Sequence, residues 1–135
     1  MKSLTVPARS VCVDKINAFV AEELEAYNCS MEVQFQLELA IEEIFVNIAS
    51  YSYHPIEGEA EIRCDILQDP LRVELQFLDS GKPYDPLAKA DPDVTLSAEE
   101  REIGGLGIFL VKKTMDAVEY ARRDGRNVLT IRKRI

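Results

Sequence analysis

The stretch Ser30-Met31-Glu32-Val33-Gln34-Phe35-Gln36-Leu37-Glu38-Leu39-Ala40-Ile41-Glu42-Glu43-Ile44-Phe45-Val46-Asn47-Ile48-Ala49-Ser50-Tyr51 carries the pattern that decides the architecture. Leu37, Ala40, Ile41, Ile44, Ile48 and Tyr51 recur at helical spacing, so one stripe of a long helix faces a core. Ser30, with Glu32 and Gln34 close behind it, supplies an N-terminal cap, and the helix is predicted to end before Pro55. Its polar residues separate by angle. At about 100° per residue, with Ile44 as the core direction, Glu42 lies roughly 160° away and Glu38 about 120° away, both on the solvated face. Glu43 and Asn47 sit one turn apart, about 100° and 60° from Ile44 on the side of Ala40, where a helix edge can border a cleft.

On either side of this helix the chain alternates between helical and strand periods. Residues 2 to 6 read as a short strand ended by Pro7, and Val13, Ile16, Phe19, Val20 and Leu24 mark a helix from about Ser10 to Tyr27 that stops at Asn28. After the long helix, Glu59 to Leu67 and Leu71 to Leu78 alternate as a hairpin around Asp69-Pro70. Residues 80 to 103, rich in Pro, Asp, Ala and Glu, show no apolar period, and a loop this long in a small domain is usually functional. Gly104-Gly105-Leu106-Gly107 opens a short apolar helix through about Met115. Strands Ala117 to Arg123 and Val128 to Arg134 close the chain around an Asp124-Gly125 turn. This order predicts an α+β fold, a two-layer sandwich with helices on one face of a mostly antiparallel mixed sheet.

Composition narrows the function. At 135 residues, 47% hydrophobic and 30% charged, the chain reads as one soluble domain spanning 1-135. Sixteen Lys and Arg against 24 Asp and Glu give a formal charge of -8, which opposes general affinity for nucleic acid or anionic lipid. No run is long and apolar enough for a membrane helix or signal peptide, so a cytoplasmic location is expected. Cys12, Cys29 and Cys64 lack metal or disulfide spacing and read as buried thiols. A single histidine, His54, excludes a His-rich metal centre.

Three constellations carry chemistry. A carboxylate and an amide one turn apart, Glu43 and Asn47, can supply a general base and an oxygen ligand for a hard cation, although polar i,i+4 pairs are also common on plain surfaces. Asp79-Ser80-Gly81 ends an apolar strand; it is either an ordinary turn or a carboxylate placed to accept from the exocyclic amine of a flat ligand. Gly104, Gly105 and Gly107 expose backbone N-H groups at a helix start, which suits an anion such as phosphate, or they form a plain glycine-rich turn. Neither a Walker loop nor a Rossmann fingerprint fits the spelling.

In this order, Glu43-x-x-x-Asn47, Asp79-x-Gly81, a long loop and Gly104-Gly105-Leu106-Gly107 resemble the N, G1 and G2 boxes of the GHKL ATPase superfamily, whose ATP-binding domain is the Bergerat fold. Within it the chain looks like the anti-sigma regulatory factor branch, serine-protein kinases of bacterial partner switching. Leu39 to Asn47, Gly81-Lys82-Pro83-Tyr84-Asp85-Pro86, and Gly104 to Val111 followed by Met115-Asp116 are similar to that family's spelling. The resemblance implies ATP and Mg2+, with Glu43 as general base, Asn47 as magnesium ligand and Asp79 as the adenine-recognising carboxylate. It further implies that Gly81 lets the base approach backbone, that residues 82 to 103 form an ATP lid, and that Gly104, Gly105, Leu106 and Gly107 bracket the phosphates. Thr130 matches a polar residue that assists adenine recognition, though threonine also suits a strand by propensity. The implied partners are a STAS-type anti-anti-sigma protein, a sigma factor or other regulator, and a second copy in a homodimer. A non-catalytic ATP-binding protein that sequesters a regulator is the alternative.

Overall fold

The computed structural model describes residues 1–53, 56–88 and 105–135, with the backbone alone at 105 and 106. His54, residues 89–103 of the expected lid, and Gly104 lie outside the described residues. The elements are β1 (Lys2–Pro7), α1 (Val13–Leu24), α2 (Met31–Asn47), β2 (Glu59–Leu67), β3 (Arg72–Asp79), α3 (Gly105–Thr114), β4 (Ala117–Arg123) and β5 (Arg126–Arg134). Short 3-10 turns flank α1 at Ser10–Cys12 and Glu25–Tyr27. Asn28 ends that helical stretch in the left-handed conformation, at φ 51°, which asparagine tolerates better than most residues. Ser30 then starts α2, its Oγ accepting from Val33 N at 3.2 Å.

The sheet order is β1-β2-β3-β5-β4, antiparallel at every pairing among the described residues. Alternation puts Ala60, Ile62 and Cys64 of β2, Val73, Leu75 and Phe77 of β3, and Leu129 and Ile131 of β5 into one core. Ile16, Val20 and Leu24 of α1, Leu37, Ile41, Ile44 and Phe45 of α2, and Val111 of α3 fill the same core. Each helix is thus held by its apolar stripe against one sheet face, the expected two-layer α+β sandwich. The opposite face is polar at several positions: Arg132 bridges Glu74 at 2.7 Å and Glu119 at 2.8 Å, and Glu61 meets Arg63 and Arg126. All three cysteines are buried free thiols, and among the described residues no helix is long and apolar enough to cross a membrane.

Two local departures from simple periodicity reshape the end of the sheet where β3 and β5 meet α2. The α2 helix does not run straight on toward Pro55; it ends at Asn47 and passes into a π turn, Ile48–Ser52. The extra residue in that turn rotates the face. Tyr51, which the stripe assigned to the core, is exposed, and Ser52 turns inward instead. The second departure is at the last hairpin. Asp124 and Gly125 both have positive φ and make a two-residue turn, so β5 starts at Arg126, opposite Arg123, and not at Val128. Asn127 is thereby drawn into the sheet.

Candidate functional site

At the end of β3 the inward alternation of Val73, Leu75 and Phe77 continues to Asp79, so strand geometry forces a carboxylate onto the core face. Asp79 is only 2% exposed. Its Oδ1 accepts from Asn127 Nδ2 at 2.9 Å and from the Gly81 backbone N at 3.0 Å. Burial pushes its carboxyl above the ordinary aspartate value, and Asn127, Gly81, Ser52 and Arg122 act in the opposite sense without cancelling the shift. Burial thus disfavours the charged form of Asp79, and the donors around it favour that form.

Asp79 lines a cavity with Ile44, Asn47, Ser52, Tyr84 and Asn127, among others. Its walls are largely apolar, with a few polar groups among them. A strap formed by residues 81–88 closes one side. Tyr84 N donates to Asn127 Oδ1 at 3.2 Å, Asn127 Nδ2 donates to Lys82 O at 2.9 Å, and the Tyr84 ring stacks on Tyr51 at 4.9 Å. With this strap in place the free space is about 20 Å3, room for about one water.

Asn47 forms the α2 wall of the cavity. Its side chain is 7% exposed, and its Nδ2 is buried without a hydrogen-bond partner among the described residues. Buried amides are seldom left so, and the acceptor closest to hand is the Glu43 carboxylate one turn earlier, on which the Asn47 amide already acts. One turn earlier, Glu43 faces a separate cleft between α2 and α3, lined also by Leu39, Ala40, Glu42, Val46, Gly107 and Leu110. Burial first, and the neighbouring Glu42 charge second, raise the Glu43 carboxyl above the usual glutamate value, while the nearby Asn47 amide softens the shift. Cavity and cleft therefore lie along one edge of α2, whose Asn47 and Glu43 are about 6 Å apart along the helix axis.

Gly107 and Gly81 each stand in close contact with a neighbour at the site. A Cβ on Gly107 would lie 2.0 Å from Glu43 Cδ, so the start of α3 and the Glu43 carboxylate can touch only if residue 107 has no side chain. A Cβ on Gly81 would lie 2.4 Å from Ser52 O; the close approach at Gly81 is made by the protein's own backbone, and Lys82 N donates to that same oxygen at 3.0 Å. The two substitutions should differ. Gly107→Ala pushes only the end of a flexible side chain and adds helix propensity, so Tm should hold or rise while activity that depends on Glu43 falls at least tenfold. Gly81→Ala collides with backbone and should destabilise by about 1–3 kcal/mol. Thermal melts beside activity assays separate them.

The structure therefore groups Asp79, Gly81 and Asn47 around the cavity, and Glu43 with Gly107 one turn along. Gly105 and Leu106 open α3 beside them. Thr130 does not join the group. It lies three residues beyond Asn127 on β5, so alternation puts it on the opposite sheet face, where it accepts from Gln76 Nε2 at 3.3 Å. The polar strand residue beside Asp79 is Asn127, paired with it in register. A strand assumed to start at Val128 hid this; the two-residue demand of Asp124-Gly125 was the signal that could have shown it.

Residues 6–133 match the family model of the histidine kinase-like ATPase domain. The chain belongs to that family. It is 34% identical over 102 residues to the serine/threonine-protein kinase BtrW of Bordetella bronchiseptica, covering 76% of this chain and 71% of the relative. It is 25% identical over 130 residues to the serine-protein kinase RsbW of Bacillus cereus, covering 93% of this chain and 80% of that protein. The matches agree with the GHKL resemblance carried by the three boxes and with its serine-protein kinase branch, and the family is one of ATPases.

The raised carboxyl of Glu43 has a consequence for stability. A carboxyl whose folded pKa exceeds its unfolded value contributes stability that is fully present below the unfolded value and is lost as pH rises through the folded one. Glu43→Gln should therefore raise Tm at pH 8. That gain should shrink to nothing below about 4.5, the ordinary glutamate value. Melting both proteins from pH 4 to 8 checks the sign, and a gain confined to acid pH would contradict it.

Proposed function

We propose that the chain binds ATP with Mg2+ in the Asp79 cavity and transfers the γ-phosphoryl group to a serine of a small STAS-type anti-anti-sigma protein. In its unswitched state it holds a sigma factor or another regulator. The observation that carries this reading is the grouping of the buried Asp79 acceptor at the end of β3 with Asn47 of α2 around one cavity, and of Glu43, one turn from Asn47, against Gly107 of α3. The names of the BtrW and RsbW relatives support the transfer to serine.

Each residue then has a separable task. Asp79 accepts a hydrogen bond from the adenine amine, with Asn127 fixing the orientation of its carboxylate. Entry of the base requires the 81–88 strap to lift, because about 20 Å3 does not hold a purine. Asn47 offers its side-chain oxygen to Mg2+, whose chemistry is to neutralise phosphate charge. Among the described residues no group of three or more His, Cys, Asp or Glu could hold a metal. Mg2+ is usually bound by one or two protein oxygens plus phosphates and waters, and Asn47 would supply one of those oxygens. Glu43 takes the serine proton as the serine oxygen bonds to the γ-phosphorus and the bridging oxygen departs with ADP. Its raised pKa makes it a better base than an exposed carboxylate.

A homodimer is the assembly implied by the resemblance. Incubation with Mg2+, ATP and a candidate STAS protein should yield one phosphoserine per acceptor by mass spectrometry, and none when Mg2+ is chelated. Asn47→Ala should weaken ATP binding mainly in the presence of Mg2+, checked by paired titrations with and without the ion.

A further inference from the structure

The face of α2 that leads to Glu43 is apolar and open. Phe35 is 60% exposed and Leu39 49% exposed; Val46 and, across the cleft on α3, Leu110 at 50% complete the rim. Phe35, Leu39 and Glu43 are spaced four residues apart and so lie in one row down the helix. The cleft into which the row runs holds about 340 Å3 and has Glu43 and Gly107 in its wall. Solitary exposed leucines need no explanation, but an apolar row that ends on a partly buried carboxylate does.

We infer that this track is the docking surface for the serine-bearing segment of the phosphoacceptor protein, which lays apolar residues on Phe35, Leu39 and Leu110 and so delivers its hydroxyl to Glu43. The inference rests on the kinase reading. Three observations select this occupant. The track is continuous with the carboxylate that must receive the serine proton, whereas a second copy seated permanently there would cover that carboxylate. The cleft's volume suits a few side chains of a narrow segment rather than a whole helix. Glu38 and Glu42 are exposed on the α2 side, so the segment that fits is neutral or basic beside its serine.

The test uses the full chain with Mg2+ and ATP, and as probe a STAS protein that the parent is first shown to phosphorylate. Leu39→Gln and Leu110→Gln change exposed positions and keep good helix formers, so folding should survive. Each should raise KM for the STAS protein about tenfold, with kcat and ATP affinity within twofold and the mass in sedimentation unchanged. Leu110→Met should restore KM. Unchanged KM in both variants would overturn the docking surface and leave the kinase reading intact. A halved mass with unchanged KM would overturn it in favour of a contact between copies. Failure of the parent to phosphorylate any STAS protein from its own genome would remove the kinase reading and the inference with it.

Discussion

Replacing Glu43 with glutamine should lower phosphotransfer by roughly two to four powers of ten, the usual contribution of a positioned general base, while ATP affinity stays within about twofold. The amide has the size and helix preference of the carboxylate, and it retains the contact with Gly107. It cannot accept the serine proton. The same change should raise thermal stability at neutral pH, because the carboxylate it removes is one that burial opposes. Gain of stability with loss of activity is the signature of a group held for chemistry rather than for folding. Glu42→Gln is the internal control: Glu42 is exposed and Glu43 is half-buried against α3, so the control should lose less than twofold in transfer. If both variants bind ATP and transfer phosphate like the parent, Glu43 is not the general base; if the parent binds ATP and a partner without transferring phosphate, the chain is a nucleotide-dependent switch.

Asp79→Asn should weaken ATP binding by about a hundredfold or more. A pocket built around an acceptor discriminates strongly when the acceptor is removed, since the partner amine is then desolvated without a bond. Asparagine retains an oxygen for Asn127 Nδ2 and Gly81 N, so the strap and the end of β3 should stay in place. Melting without nucleotide should show no loss, and at neutral pH a gain, by the same sign argument as for Glu43. Calorimetric titration of ATP into both proteins checks the affinity. Equal affinities would remove Asp79 from base recognition.

Much of this was legible in the sequence because it follows from local rules. The angular difference between Glu42 and Glu43 needs only the helix period, and the structure leaves Glu42 exposed and half-buries Glu43. The alternation of β3 makes Asp79 an inward residue for the same reason that Phe77 is one. What escaped were features that depend on counting across an irregularity. The π turn at Ile48–Ser52 has no strong sequence signature, and it moves Tyr51 out to stack on Tyr84 and Ser52 in toward Asp79. The assignment of Thr130 failed by parity: a strand begun at Arg126 makes Asn127 the neighbour of Asp79 and gives Thr130 to the other face. The strap is a further case. Pro83, Tyr84 and Pro86 were visible as a motif, but their closure over the cavity depends on Asn127, 43 residues away from Tyr84.

The claim on which the rest depends is that the Asp79 cavity is a nucleotide site gated by Mg2+ and Asn47. The most direct test is calorimetric titration of the full chain with ATP, run with Mg2+ and again with a chelator. Saturable binding of one ATP per chain, clearly tightened by Mg2+, is the expected result. No binding heat in either titration, with the protein shown to be folded by its melt, would contradict it.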